Sequence, residues 1–459
     1  MEKTQLWLAL ATLSVAELRE FDKFVRSPFF NSRQKLMAHF EKIYAARNKG
    51  VIPEFPGMPN TEFRLLNSAL LKLLEKYLIY KEKFKDPERG KIKLAAAYRK
   101  RNLTKHFKIA LRDARQSREK QQWRHAEYFH DLNLIEWEQY KHEILEHRTE
   151  TLNIQNVSDK MDQAFIARKL RLACLAISHQ AVYKTDYNIS LLSPILAFVQ
   201  ETNQSEIPAI GLYYHCYYFL SSDFDTGEQH FQRFREILNR AANSFPDDEL
   251  RTMYLLALNF GIKKLNEARE GWLEITFDLY KEALALNLLL ENNQISRFAF
   301  NNITAIALRV GALDWAEQFV LSYRPKLERQ WRDATASLNL ARVAYTRKDY
   351  REALLNLQRS DYKDLINNLI AKTLQLKIYY ETDEFELLTS HLASMKNYIR
   401  RHTAIGYHRN NYSRLVRYTQ QMSILNFSDQ KAVAALRKRI EQEKVLSEKA
   451  WFLEDAGLR

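Results

Sequence analysis

The sequence predicts an all-α protein, a tetratricopeptide-like α-solenoid of paired helices behind a helical N-terminal cap. Three observations predict it. Only 10 glycines and 9 prolines occur in 459 residues, well below the roughly 12% of an average chain, so few positions demand special backbone angles or forbid a helix. From Lys91 onward apolar residues recur at helical intervals, with no sustained alternation of the kind a half-buried strand needs. Between residues 250 and 395 a unit of helix, tight turn and helix returns at nearly even spacing.

The elements follow in chain order. Leu6 to Leu13 is apolar but short, is preceded by one lysine, and runs into Ser14-Val15-Ala16-Glu17, a capping box. We expect a folded first helix there rather than a secretion signal. Ser14 opens a helix carrying Leu18, Phe21, Phe24 and Val25 on one face. The turn Ser27 to Asn31 ends it, and Asn31 with Gln34 reads as a second capping box. Lys49 to Thr61 holds Pro53, Pro56, Pro59, Gly50 and Gly57 and is read as a loop. Phe63, Leu66, Leu70, Leu73, Leu74, Tyr77 and Leu78 then form a helical stripe. Residues 1–85 are thus expected to form the cap. Asp86-Pro87-Glu88-Arg89-Gly90 breaks the chain, 91–425 forms the repeat array, and 428–459 closes it with one helix from Asp429 to Glu454. Pro194, Pro208, Gly227, Pro246, Gly311, Pro325 and Gly406 are expected at pair junctions, and Thr226 with Gln229 adds another capping box.

The repeats rest on four residue pairs: Tyr280 and Ala283, Leu313 and Ala316, Tyr350 and Ala353, Phe385 and Leu388. Their second members are spaced by 33, 37 and 35 residues. A residue without bulk lets two helices approach to about 8–9 Å, and the neighbouring aromatic fills the gap to the next pair. Leu340-Ala341, Ala344-Tyr345, Asp349-Tyr350 and Ala353 resemble the small and aromatic pattern of the tetratricopeptide repeat, whose period is about 34 residues. Lys348 stands where that repeat has a turn glycine, and Leu388 replaces its small alanine. The chain is also similar to a family of uncharacterised Bacteroidota helical-repeat proteins. The likeness is carried by LSVAELREFDKFVRSPFFN (13–31), LLKLLEKYLIY (70–80), AYRKRNLTKHF (97–107), GALDWAEQFV (311–320), ARVAYTRKDYREAL (341–354) and SEKAWFLE (447–454). It implies a helical-repeat fold and supplies no reaction or catalytic residues.

Net charge is +14, unevenly spread: +4 over 1–80, +11 over 81–125, −8 over 126–394 and +7 over 395–459. Arg101, Lys105, Lys108, Arg112 and Arg115 recur every three or four residues, a spacing that places them on one helical face as a basic stripe. Arg400, Arg401, His408, Arg409, Arg414 and Arg417 interleave with Tyr407, Tyr412 and Tyr418. Such segments suit phosphates and stacked bases, acidic protein surfaces, or solvent. In the run Tyr213, Tyr214, Tyr217, Tyr218, Phe219, one tyrosine pair is expected in the core; Tyr213 and Tyr217 are candidates for partner contact.

No chemistry-bearing motif emerges. His142-Glu143-Ile144-Leu145-Glu146-His147 places its histidines five apart, about 140° from sharing a face, against the four a zinc-binding HExxH helix needs. His142/Glu146 and Glu143/His147 are ordinary helix-surface pairs. Neither a phosphate-cradling glycine loop nor a nucleophile elbow occurs. Cys174 and Cys216 are two isolated thiols, read as small buried hydrophobes in a reducing cytoplasm. No apolar run approaches the roughly 20 residues that span a bilayer, so no membrane insertion is expected. The expectation is a cytoplasmic, non-enzymatic scaffold or adaptor without cofactor or metal, binding a peptide or protein partner in a helical groove. Tyr213, Tyr217, Arg400, Arg401, Arg409, Arg414 and Arg417 are the candidate contacts. The alternative is nucleic-acid binding or DNA-linked regulation through the basic segments 97–124 and 400–417.

Overall fold

The computed structural model describes residues 1–146, 151–183, 185–222, 224–267, 269–358, 365–402, 408–443 and 446–454. His147, Gly406 and Tyr407 lie outside them, as does the side chain of His408. Among the described residues are 22 α-helices and one two-stranded hairpin, an all-α helical-repeat fold. The chain divides into two compact units, 1–169 and 170–459.

The first unit opens with α1 (Gln5–Thr12), α2 (Val15–Arg26), α3 (Gln34–Asn48) and α4 (Asn60–Phe84). Leu10, Phe21, Phe40, Ile43, Leu70 and Leu74 meet in one buried cluster, each contributing about 1.5–3 kcal/mol by leaving water. The capping box at Ser14 is formed: its Oγ accepts the Glu17 amide, and the Glu17 carboxylate accepts the Ser14 amide. The second expected box is absent. Asn31 is buried instead, donating to the Val25 carbonyl at 2.9 Å and accepting the Arg33 amide at 3.1 Å, so its side chain closes the turn rather than capping α3.

Three further helices, α5 (Pro87–Arg99), α6 (Thr104–Lys120) and α7 (Ala126–Glu146), pack on one another around Phe107, Leu111 and Ile135. Asp86 caps α5 and Pro87 occupies its first turn. An ionic network centred on the buried Arg118 and Asp131 ties the three together. Arg118 reaches Asp86 at 2.7 Å and Asp131 at 2.5 Å, and Arg89 reaches Asp131 at 2.8 Å and Glu127 at 2.6 Å. Burial pushes the Asp131 carboxyl above its ordinary value, against the pull of both guanidiniums. Helix α8 (Ile154–Tyr183) carries the chain across residue 169.

In the second unit α9 (Leu192–Glu201), α10 (Pro208–Ser221), α11 (Phe224–Ala241), α12 (Asp247–Asn266) and α13 (Trp272–Ala285) lead to a hairpin, β1 (Leu290–Glu291) with β2 (Gln294–Ile295). The hairpin departs from the expectation of helices only. Its turn residues Asn292 and Asn293 both take positive φ, the conformation of a tight two-residue turn, which asparagine tolerates. Then come α14 (Arg297–Arg309), α15 (Leu313–Tyr323), α16 (Arg332–Thr346), α17 (Tyr350–Gln358), α18 (Leu365–Glu381), α19 (Phe385–Arg401), α20 (His408–Ser423), α21 (Gln430–Gln442) and α22 (Lys449–Glu454).

The repeat has a backbone signature as well as a side-chain one. Gly311, Lys348 and Asp383 each adopt positive φ in the turn between paired helices. After each, an amide returns 2.9 Å to a carbonyl five residues earlier: Ala312 to Ala307, Asp349 to Ala344, Glu384 to Tyr379. Lys348 therefore performs the turn that glycine performs at 311. Ala316, Ala353 and Leu388 are all fully buried, one turn into α15, α17 and α19. Helix α13 already begins at Trp272, so Tyr280 and Ala283 lie in its second half and the interval of 33 compares unlike positions. The close approach of α12 to α13 falls instead at Gly261, where a Cβ would meet the Thr276 hydroxyl at 2.5 Å. Gly227 sits inside α11, not at a junction.

The expected helix from Asp429 to Glu454 is two helices. After Gln442 the backbone turns extended at Glu443, whose carboxylate draws back to Arg414, Arg417 and Tyr418. The chain then enters α22, burying Trp451 and Phe452 in the cluster formed by α18 to α21.

Candidate binding cavity in the C-terminal unit

Helices α14, α16 and α18 are the first members of successive pairs, and each packs on the next. On α16, Arg342, Tyr345 and Thr346 share a face by their three- and four-residue spacing; on α18, Ile370, Thr373, Leu374 and Lys377 do the same. Together with Ala305, Leu308 and Arg309 of α14, they line a cavity of about 560 Å³. Tyr412 of α20 and Ser447, Glu448 and Ala450 of the C-terminal segment complete it.

The C-terminal segment is held at this cavity by polar anchors. Lys377 Nζ meets Glu448 at 2.8 Å. The Trp451 indole donates to Glu381 at 2.7 Å. Glu381 is a hub, 9% exposed, that also accepts from Tyr345, from Tyr350 at 2.5 Å and from Lys348 at 3.0 Å. Burial alone would raise its pKa, but the donors outweigh burial and hold the carboxyl below its ordinary value.

Three donors lining the cavity have no hydrogen-bond partner among the described residues: the half-buried Arg342 guanidinium, the Tyr412 hydroxyl and the buried Thr373 hydroxyl. Threonine in a helix commonly returns its hydroxyl to the carbonyl four residues back, as Thr346 and Thr382 do nearby; Thr373 does not. Burial depresses the Arg342 guanidinium, with Glu448 and Tyr412 opposing the shift. Burial, reinforced by Glu448 and opposed by Arg342, pushes the Tyr412 phenol up to about 12, so it stays a donor at neutral pH.

The sequence candidates are placed elsewhere. Tyr213 is 1% exposed and its hydroxyl donates to the buried Glu249 at 2.9 Å, which corrects its reading as a partner contact: α10 is covered by α11 and α12, leaving that face no solvent. Tyr217 is half-buried on the same helix. Arg400, Arg401 and Arg409 are exposed, whereas Arg414 and Arg417 pair with Glu443 at 3.2 and 3.0 Å. Of the basic stripe, Lys105 and Lys108 are exposed, Arg101 binds the Ala97 carbonyl, Arg112 lies 3.3 Å from Asp113, and Arg115 meets Glu136 at 2.7 Å. Lys108, Arg112 and Arg115 line a cleft of about 450 Å³ with Glu119, Gln139, His142 and Glu143, a wall of mixed charge. Sequence reading passed over Arg342, Thr373, Lys377 and Glu381. The available signal was a basic residue inside the otherwise small and apolar LNLARVAYT of α16.

Cys174 and Cys216 are buried free thiols, and burial raises Cys216 well above its ordinary value. Among the described residues no group of three or more His, Cys, Asp or Glu is placed to hold a metal ion, and no helix is long and apolar enough to cross a membrane. Neither a protein-family model, a curated protein nor a solved structure matches this chain.

Proposed function

We propose that this protein is a non-enzymatic binding module, a scaffold or adaptor whose second unit holds a peptide or protein segment at the cavity lined by α14, α16 and α18. One observation carries the reading. Helix α18, one wall of the cavity, already holds a short segment of its own chain, residues 446–454, by one ion pair and one indole hydrogen bond, while two aromatic rings of that segment are buried in the cluster of α18 to α21. Such a mixture of apolar pockets and fixed polar anchors is how helical surfaces recognise a segment. Nucleic-acid binding through 97–124 and 400–417 draws less support, because Arg112 and Arg115 each have a carboxylate neighbour and Arg414 and Arg417 share Glu443.

The test is selection of random twelve-residue peptides on the full chain by display, followed by fluorescence anisotropy. Arg309 is exposed and lines the cavity, so Arg309→Glu can perturb binding without disturbing a core. Selected peptides should bind at micromolar Kd and weaken about tenfold or more in that variant, the effect of 1.4 kcal/mol. The control Lys105→Glu, in the first unit, should leave them unchanged. Failure of any sequence to enrich, or equal binding by Arg309→Glu, would overturn the proposal.

A further inference from the structure

The geometry points to an oxyanion subsite in the cavity, seated on Arg342, that takes a phosphate or carboxylate group attached to an aromatic or aliphatic body. It rests on the reading of this cavity as the binding site and adds the chemistry of what enters.

Charge and donors carry the inference. A half-buried guanidinium with no ion pair among the described residues, and with Glu448 acting on it only through space, is unusual, because the cost of removing it from water is ordinarily offset by a contacting carboxylate. The carboxylate that lines the cavity, Glu448, is engaged by Lys377 at 2.8 Å. Arg342 is left with a planar set of donors suited to two oxygens of one anion. Two neutral donors line the same cavity without partners among the described residues, the Thr373 and Tyr412 hydroxyls. Arg309 adds a second positive charge at an exposed position. Two guanidiniums and two unpaired hydroxyls around one cavity describe a place for oxygen atoms bearing negative charge. The remaining wall, Leu308, Ile370 and Leu374, is apolar, and about 560 Å³ exceeds the space one anion needs. The ligand therefore carries an apolar body behind its charged group.

Basic residues elsewhere do not make this arrangement. In the cleft lined by Arg112 and Arg115 of the first unit, both guanidiniums have carboxylate neighbours, and Glu119 and Glu143 share the wall.

Isothermal titration of the full chain tests the subsite with four probes: phenyl phosphate, benzoate, inorganic phosphate and uncharged benzamide. Phenyl phosphate or benzoate should bind saturably at one site, about tenfold or more tighter than benzamide and tighter than inorganic phosphate. Preference for phenyl phosphate assigns the source as a phosphate ester, and preference for benzoate as a carboxylate. Arg342→Gln should weaken the preferred probe about tenfold or more, the loss expected for a charge-assisted bond. Thr373→Val and Tyr412→Phe preserve shape and should each weaken it several-fold; they decide the matter if Arg342→Gln does not fold. The inference is overturned if neither anion binds saturably, or if binding is unchanged in the folded variants. It fails separately from the proposed function if selected peptides lacking any acidic group still bind and still weaken in Arg309→Glu.

Discussion

Glu381 joins two repeats to the C-terminal segment, and replacing it has a calculable cost. In Glu381→Ala four donors lose their acceptor: Tyr345, Tyr350, Lys348 and the Trp451 indole. Lys348 is exposed and can return to water, and Tyr350 is half-buried. Trp451 is 2% exposed, so its indole N–H has no such recourse. A buried donor left unsatisfied costs about 1–3 kcal/mol, and a hydrogen bond to a charged acceptor contributes about 1.5–3 kcal/mol. With Tyr345 partly and Trp451 fully stranded, Glu381→Ala should destabilise the second unit by about 3–5 kcal/mol. Glu381→Gln keeps the shape and one acceptor oxygen and should cost about 1–2 kcal/mol. Urea unfolding followed by tryptophan fluorescence, with hydrogen exchange over residues 446–454, reads both the global and the local loss. The pH dependence has a definite sign. The folded-state pKa of Glu381 is depressed below 4.5, so its contribution is fully present above that value and disappears as pH falls through the lower folded value. Glu381→Gln should remove that part of the acid sensitivity. A change below 0.5 kcal/mol in Glu381→Ala, about the noise of a surface substitution, with unaltered exchange at 446–454, would refute the reasoning.

Asp131→Asn removes one of the two carboxylates on the buried Arg118 and leaves Asp86 in place; it should cost about 1.5–3 kcal/mol, the contribution of a hydrogen bond to a charged group, read by thermal unfolding of the full chain. Gly311 takes φ +79° with open space around its missing Cβ, so Gly311→Ala should destabilise by about 1 kcal/mol through backbone strain alone; denaturant midpoints check it. Tyr213→Phe removes a buried hydrogen bond to Glu249 and should lower stability by about 1–2 kcal/mol while leaving the affinity of selected peptides unchanged, by anisotropy.

Helix pairs were legible in the sequence because their determinants are local. Apolar periodicity, the capping box at Ser14 and the small residues Ala316 and Ala353 act within one or two turns of chain. The structure departs from that pattern where a partner outside the helix itself decides the outcome. Asn31 looks like a cap until the Val25 carbonyl claims its amide. The polar run after Asp429 reads as one helix until Glu443 is drawn to Arg414 and Arg417. Gly227 reads as a junction, yet inside α11 it lies close to the Phe219 backbone of α10. The cavity was not legible for the same reason. Its lining comes from residues 305 to 450, and Arg342 stands out by being half-buried on α16 without an ion pair among the described residues, a combination that depends on where Glu448 folds back. Exposed arginines such as Arg400 and Arg401 stand out in a sequence because they cluster, and clustering says nothing about burial.

Hydrogen exchange of the full chain, with and without a saturating selected peptide, tests the central claim most directly. Binding at the cavity predicts slowed exchange confined to five stretches, around residues 305–309, 342–346, 370–377, 412 and 447–450, which contribute its lining. Protection over 97–124 or 400–402 instead, or protection nowhere in the second unit, would contradict it.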